Sequence, residues 1–128
     1  MRLLLDTHAF IWLAGDTSRL SPAARAAVAD PANELLLSDA SIWEMAIKVQ
    51  LGKLVFPEPF DEKIFEALGR TQISILPIVT RHVAAVARLP LHHRDPFDRL
   101  LAVQAQPENL LVITHDPLLK QYDISLCW

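Results

Sequence analysis

Cysteine is nearly absent from this chain of 128 residues, which has a single thiol at Cys127. One cysteine excludes an intrachain disulfide and excludes any metal site built on a Cys-x-x-Cys pair. This usage is typical of a reducing compartment, so we expect a cytoplasmic protein.

Long apolar runs are also lacking, although 52% of the residues are hydrophobic and the mean hydropathy is +0.24. No run approaches the roughly 18 residues that indicate a transmembrane helix. The opening segment reaches the carboxylate of Asp6 too early to form the apolar region of a secretory signal. We therefore expect neither a membrane span nor a secretory signal.

Positive charge is scarce: 12 Lys and Arg stand against 15 Asp and Glu, which gives a net charge of −3, and no basic run occurs. This balance argues against a protein that binds nucleic acid mainly by neutralising phosphates. It does not argue against a nuclease, because catalytic carboxylates lower the net charge and bound cations offset them locally. The length predicts a single domain over residues 1–128.

Short apolar runs alternate with segments of helical pattern, which begin at cap signals such as Ser21-Pro22 and Asp95-Pro96. The predicted strands are Leu3–Leu5, Leu35–Leu37, Ile73–Leu76 and Leu110–Thr114. The predicted helices are Ala9–Ala14, Pro22 to near Asp30, Ala40–Leu51, Phe60–Leu68, Thr80–Arg88 and Pro96–Gln106. This alternation predicts an α/β fold, a three-layer α/β/α domain around a mostly parallel sheet of four to five strands.

Four carboxylates fall where these strands end. Asp6 terminates the first strand, and Asp116 lies two residues beyond the fourth. Glu44 lies about one turn into the helix that follows the second strand, and Asp98 lies in the first turn of the helix that precedes the fourth. Because ligand sites of open parallel sheets lie beyond the carboxyl ends of the strands, topology alone should bring these acids to one rim.

Each carboxylate also has a structural explanation. Asp6 could cap the first helix, and Glu44 could form an i,i+4 ion pair with Lys48. Asp98 is favoured by the dipole in the first turn of its helix, and Asp116 precedes a proline as helix caps do. Together, however, four like charges on one rim are unfavourable unless a cation lies between them.

A site made only of carboxylates is best suited to hard divalent cations, Mg²⁺ or Mn²⁺. Thr7 and Thr114 lie next to the predicted site and could donate hydrogen bonds to carboxylates or water. Zinc is not expected, because no histidine stands in an HExxH spacing and none has a cysteine pair nearby. His92 and His93 are accordingly predicted to be loop residues without a role at the metal.

Four segments of the chain resemble the PIN-domain family, and more narrowly the VapC-type toxins of bacterial toxin–antitoxin pairs. The resemblance runs from Arg2 to about Tyr122, with the motifs in the family's order. The segments that carry it are Leu3–His8, Ser41–Lys48, His92–Ala102 and Val112–Asp116.

The resemblance implies a parallel sheet flanked by helices, cleavage of RNA that depends on Mg²⁺ or Mn²⁺, and inhibition by a cognate antitoxin. Asp6 and Glu44 match the family's first and second acids, and Asp98 and Asp116 match the third and fourth. Asp98 fits the family's Asp-x-Leu-Ile-Ala pattern better than Asp95 does. Asp95 is then a helix cap with a supporting role at the metal.

The resemblance also implies a mechanism, in which the metal at these four acids binds the scissile phosphate and activates water for in-line attack. Thr114 matches the small hydroxyl residue found before the family's last acid. Arg94 and Arg99 flank the third acid and are predicted to reach the RNA backbone. The alternative for both is a solvated arginine on the surface.

Three other functions are considered. A phosphotransferase of the haloacid-dehalogenase type also begins with a strand ending in Asp, but it needs a second Asp two residues later, where this chain has His8. A catalytically silent PIN-like module would bind RNA or protein without cutting it, and the retention of all four acids argues against that. A DNA nuclease of related fold would need an added DNA-binding segment, which the chain lacks.

The apolar composition predicts a partner protein, because a core of this size cannot absorb all of the apolar surface. The resemblance agrees, since such toxins are commonly homodimers and bind an antitoxin segment along their helices. The segment Phe56–Leu68, set apart by two prolines, is the predicted partner surface. The alternative is that this segment completes the core.

Overall fold

A parallel sheet of five strands, in the order β3-β2-β1-β4-β5, forms the middle layer of the computed structural model, which describes all 128 residues. The strands are β1 (Arg2–Leu5), β2 (Glu34–Ser38), β3 (Ser74–Leu76), β4 (Leu111–Ile113) and β5 (Ser125–Cys127). All four strand pairs are parallel, with Leu4 of β1 opposite Leu36 of β2 on one side and Val112 of β4 on the other. The predicted α/β architecture is therefore confirmed. The sheet is parallel throughout, and its fifth strand had no recognised sequence signal.

Six helices cover the two faces of this sheet. They are α1 (Thr7–Ala14), α2 (Pro22–Ala29), α3 (Asp39–Gln50), α4 (Phe60–Thr71), α5 (Thr80–Ala85) and α6 (Pro96–Glu108). No helix has the length and apolar character needed to cross a membrane.

The unbroken apolar run of β1 reflects burial on both faces. Leu3 and Leu5 belong to a core cluster that includes residues of α1, α2 and α4, whereas Leu4 packs into a second cluster with residues of α6. All three leucines are fully buried. Successive strand residues point to opposite faces, so a strand covered on both sides needs a leucine at every position.

Helix ends differ from the sequence expectations by small amounts that have local causes. Helix α1 begins two residues early, at Thr7, because the Asp6 side chain accepts a hydrogen bond from the Ala9 amide at 2.7 Å. Helix α6 runs through Pro107 and ends at Glu108, where Asn109 takes the left-handed conformation with φ 52°. The single helix expected over Thr80–Arg88 is divided into α5 and a short 3-10 turn.

Four of the five large apolar side chains in the predicted partner surface at Phe56–Leu68 pack in or against the core, which contradicts the sequence expectation for them. Ile64 and Leu68 are buried, and Phe56 and Phe60 pack against the same cluster with ring centroids 5.2 Å apart. Phe65 is the exception, with 65% of its surface exposed. The segment completes the core because α4 directs one apolar face inward, which the helical spacing of these residues allows.

Candidate active site

The four predicted acids, Asp6, Glu44, Asp98 and Asp116, line a single cleft of about 1010 Å³ together with Asp95. The cleft lies at the carboxyl edge of the sheet, where β1 ends before Asp6 and β4 ends before Thr114. Parallel pairing places these strand ends at the same edge, so residues more than 100 positions apart meet there.

Asp6 is held by two donors from different parts of the chain. Its Oδ1 accepts from the Ala9 amide, and its Oδ2 accepts from the Thr114 hydroxyl at 2.5 Å. The Thr114 oxygen in turn accepts from the backbone amide of Asp116 at 3.0 Å. Burial raises the pKa of Asp6, and the hydrogen bond from Thr114 opposes that rise. Thr114 therefore connects the first acid to the fourth.

Glu44 is buried, and both of its carboxylate oxygens have donors. Oε1 accepts from the Thr7 hydroxyl at 2.6 Å, and Oε2 pairs with Lys48 Nζ at 2.7 Å. The ion pair considered as a structural explanation for Glu44 thus forms, and it forms inside the cleft that Lys48 also lines. The carboxylate of Glu44 therefore both forms the ion pair with Lys48 and lies among the acids of the cleft.

His93 lies between Asp98 and Asp116, which the sequence did not indicate. Its Nε2 is 2.7 Å from Asp116 Oδ2 and 3.2 Å from Asp98 Oδ2, and the ligand atoms of the three residues lie within 4.8 Å of one another. Its Nδ1 accepts from the Asp95 amide at 3.0 Å. Because that nitrogen is an acceptor, the proton of the neutral ring is on Nε2, which therefore donates to Asp116. His93 is a loop residue, as expected, but its contacts with two of the acids were not predicted from the sequence.

Arg99 is buried beneath the loop that carries His93, so the prediction that it contacts RNA is wrong. Its Nη1 donates to the Pro90 carbonyl at 2.9 Å and to the Tyr122 hydroxyl at 3.2 Å, and its Nη2 donates to the carbonyls of Val86 and Leu89. A side chain held by this many carbonyl groups in the interior is not free to reach a ligand. Arg94, the other predicted RNA contact, is exposed.

The amide of His93 donates to the Tyr122 hydroxyl at 2.9 Å, the same oxygen that accepts from Arg99. Arg99 and Tyr122 together therefore hold the loop in the conformation that places His93 over the two acids. This arrangement could not be predicted from a local sequence pattern, because it depends on a contact between Arg99 and Tyr122, which are 23 positions apart.

Burial, reinforced by the charges of Asp95, Asp6 and Glu44 and opposed by that of His93, raises the pKa of Asp98 to about 7. His93 is also the one donor in contact with the Asp98 carboxylate. An oxygen-rich cluster whose members oppose each other's ionisation fits a divalent cation, because a cation removes the repulsion that raises the pKa. The donor set thus fits Mg²⁺ or Mn²⁺.

The family model for the PIN domain matches residues 3–125, so the chain belongs to the PIN domain family. Ribonuclease VapC16 of Mycobacterium tuberculosis is 43% identical over 60 residues, a stretch that is 47% of this chain and 43% of that protein. The chain thus spans less than half the length of this curated relative.

Solved structures of similar fold cover nearly the whole chain. VapBC2 from Rickettsia felis, solved with a DNA fragment from its promoter, has a TM-score of 0.69 and 16% identity, covering 98% of this chain and 97% of the other. VapBC-1 from nontypeable Haemophilus influenzae has a TM-score of 0.62 and 19% identity, covering 98% and 96%. At such identities the likeness shows a shared fold.

Two substitutions of His93 distinguish the role of its Nδ1 from that of its Nε2. Asn places an acceptor near the position of Nδ1 but has no donor at Nε2, whereas Gln places an amide donor near Nε2. Loss of a hydrogen bond to a metal-binding carboxylate typically costs about 10-fold to 100-fold in metal affinity. We expect His93→Asn to weaken Mn²⁺ binding by at least about tenfold in calorimetry, and His93→Gln to stay close to wild type. Equal affinities for both variants would contradict this role of Nε2.

The raised pKa of Asp98 predicts how stability depends on pH in the metal-free protein. Asp98 keeps its proton up to a higher pH in the folded state than in the unfolded chain. Between about pH 4 and about pH 7 the folded state therefore binds more protons, and the free energy of unfolding falls as the pH rises. Asp98→Asn does not titrate. In EDTA, the Tm of this variant should therefore rise relative to wild type across that range and keep a constant advantage above it.

The matched control for this measurement is Asp123→Asn, because Asp123 is an exposed acid that lies outside the helices and outside the cleft. Its Tm should follow wild type at every pH. A difference between Asp98→Asn and wild type that does not change with pH would show that Asp98 titrates normally.

Proposed function

We propose that this protein is an endoribonuclease that depends on Mg²⁺ or Mn²⁺ and acts as the cytoplasmic toxin of a toxin–antitoxin pair. The observation that carries the proposal is the convergence of Asp6, Glu44, Asp98 and Asp116 in one cleft of a PIN domain. The name of the relative Ribonuclease VapC16, together with the VapBC complexes of similar fold, supports RNA as the substrate and an antitoxin as the partner.

The residues that would hold the metal are these four acids, with Asp95 in a supporting position. When bound there, a divalent cation would offset the charge of the carboxylates, polarise a phosphate and lower the pKa of a bound water, so that the water could lose a proton and become the nucleophile. The Thr114 hydroxyl holds the carboxylate of Asp6, and Thr7 and Lys48 hold that of Glu44. These donors set the direction of each carboxylate before substrate arrives, so little reorganisation is needed during the reaction.

Asp98 is the acid best suited to take a proton from the attacking water. Its carboxylate contacts one donor, His93, whereas the carboxylates of Asp6 and Glu44 each accept from two donors, so Asp98 keeps more acceptor capacity for water. His93 donates to Asp116 and contacts Asp98, so it keeps these two carboxylates close together. Arg94, exposed beside this loop, is proposed to contact the RNA backbone.

The alternatives are less well supported by the geometry. A silent PIN-like module would have no reason to keep four acids in one cleft, since their mutual repulsion destabilises the folded chain. A haloacid-dehalogenase phosphotransferase would need a carboxylate where this chain has His8, and the PIN family model covers almost the whole chain.

Separate substitutions of Asp98 and Asp95 test which of the two residues is the third acid of the site. The Asp95 Oδ1 caps α6 by accepting from the amides of Phe97 and Asp98, and Asn caps helices equally well. We expect purified wild type to cleave RNA with Mg²⁺ or Mn²⁺ and not in EDTA. Asp98→Asn should lose activity by orders of magnitude, as should Asp6→Asn, whereas Asp95→Asn should lose much less.

Gel analysis of a defined RNA, with Tm measured for every variant, gives the comparison. An inactive Asp95→Asn beside an active Asp98→Asn would reverse the assignment of the third acid. Equal cleavage by wild type in EDTA would overturn the dependence on metal.

The partner proposal rests on apolar side chains that the core does not cover. Trp43, Leu51 and Val55, on α3 and in the loop after it, are 58%, 62% and 98% exposed. Exposed apolar patches of this kind normally mark interaction sites. We expect light scattering at micromolar concentration to give twice the chain mass of 14.4 kDa. A monomer that also fails to bind the product of the neighbouring gene would contradict both the dimer and the antitoxin.

A further inference from the structure

Four aromatic rings stand in a continuous row along one wall of the carboxylate cleft. They are His8, Trp12, Trp128 and His115, with ring centroids separated in that order by 5.7, 5.6 and 5.2 Å. All four line the cleft. We call these four residues the aromatic row.

The two ends of the aromatic row adjoin two of the acids. His8 follows Asp6 by two residues, and His115 directly precedes Asp116. Trp12 lies one helical turn beyond His8 on α1, and Trp128 follows β5, which pairs with β4. A phosphate placed at the carboxylates therefore has the rings of the row beside it.

Core packing explains the positions of the two indoles in the aromatic row, but not those of the two imidazoles. Trp12 and Trp128 pack against the main core cluster and are half-buried, as indoles at the edge of a core often are. The imidazoles of His8 and His115 are exposed, however, so packing does not account for their place in the row. Packing likewise does not account for Arg19, whose guanidinium lies 5.1 Å from the centre of the Trp12 ring.

Cations accompany the aromatic row on its solvent side. Arg19 is exposed above Trp12, and Lys120 is exposed at the edge of the cleft. Aromatic rings next to Arg and Lys are the usual composition of surfaces that bind single-stranded nucleic acid, where bases stack on rings and cations follow the phosphates. The carboxylates on the other side of the cleft would repel such a strand in the absence of a cation.

We propose that the aromatic row is a stacking subsite for the unpaired bases of RNA next to the bond that is cut. The proposal rests on the proposed function, because it places the scissile phosphate at the acids. Bases held in a duplex cannot turn their faces toward these rings, so the subsite selects single-stranded RNA. Stacking accepts every base, so the row favours unpaired structure with little regard to sequence.

The test is equilibrium binding of a short RNA strand that carries 2-aminopurine, an adenine analogue whose emission falls when it stacks. The titration uses Ca²⁺ as the divalent ion, and the strand is checked for intact length afterwards. Wild type should quench the emission of the single strand and bind its duplex at least about tenfold more weakly, since one stacked base is worth about that factor.

Leucine substitutions in the row should remove stacking while keeping an apolar side chain. Trp12→Leu and Trp128→Leu should each raise the Kd for the single strand about tenfold and abolish the quenching, and Trp128→Phe should restore both. Phe65→Leu is the matched control, because Phe65 is an exposed aromatic side chain outside the cleft. If an indole variant does not fold, His115→Leu and His8→Leu test the exposed ends of the row.

Unchanged Kd and quenching in the variants, or equal affinity of wild type for strand and duplex, would overturn the subsite. These results are separable from the proposed function. A protein that cleaves single-stranded and duplex RNA alike keeps the nuclease and loses the stacking subsite. A protein that binds and quenches the strand as described but never cuts it keeps the subsite and loses the nuclease.

Discussion

Electrostatic repulsion among the acids at the carboxyl edge of the sheet is the constraint that explains most of the chemistry around it. The fold answers this repulsion with a specific donor at each carboxylate: the Thr114 hydroxyl at Asp6, Lys48 at Glu44 and His93 at Asp116. Asp98 contacts only His93, and its burial, together with the charges of Asp95, Asp6 and Glu44, raises its pKa to about 7. The same repulsion makes the cleft a favourable place for a divalent cation.

One of these donors, His93, depends in turn on the buried guanidinium of Arg99, a residue that does not line the cleft. Arg99 carries its charge into the interior, where the carbonyls of Val86, Leu89 and Pro90 accept its hydrogen bonds. The guanidinium supplies donors to the carbonyls of Leu89 and Pro90 and adds a second donor to that of Val86, which also accepts from the Leu89 amide. The loop that results holds His93 in place, so a residue with no role in binding RNA shapes the geometry of two acids.

The cleft therefore has two chemically different walls. One wall is made of carboxylates with their donors, and it suits a metal and a phosphate. The other carries Trp12 and Trp128 with exposed imidazoles at its ends, and it suits the flat faces of bases. The two walls meet at Asp6 and Asp116, because the strands that precede these acids are neighbours in the sheet.

The sequence by itself determined the strands, the helix caps and the placement of four acids at one edge. These features follow from local rules: apolar runs of strand length, Asp or Ser before Pro, and the shared direction of parallel strand ends. Strand β5 was not predicted, because one exposed and two half-buried residues at a sheet edge carry no recognisable pattern before β4 is there to pair with them.

Only the tertiary structure decided where particular side chains point. Asp98 and Arg99 are consecutive on α6, so their side chains leave the helix roughly 100° apart. One therefore enters the cleft and the other enters the interior. His93 and the pair Trp12–Trp128 acquire their places from partners far away in the chain. Local patterns record spacing and propensity, whereas these contacts depend on how distant segments pack, which is why they could be read only from the folded chain.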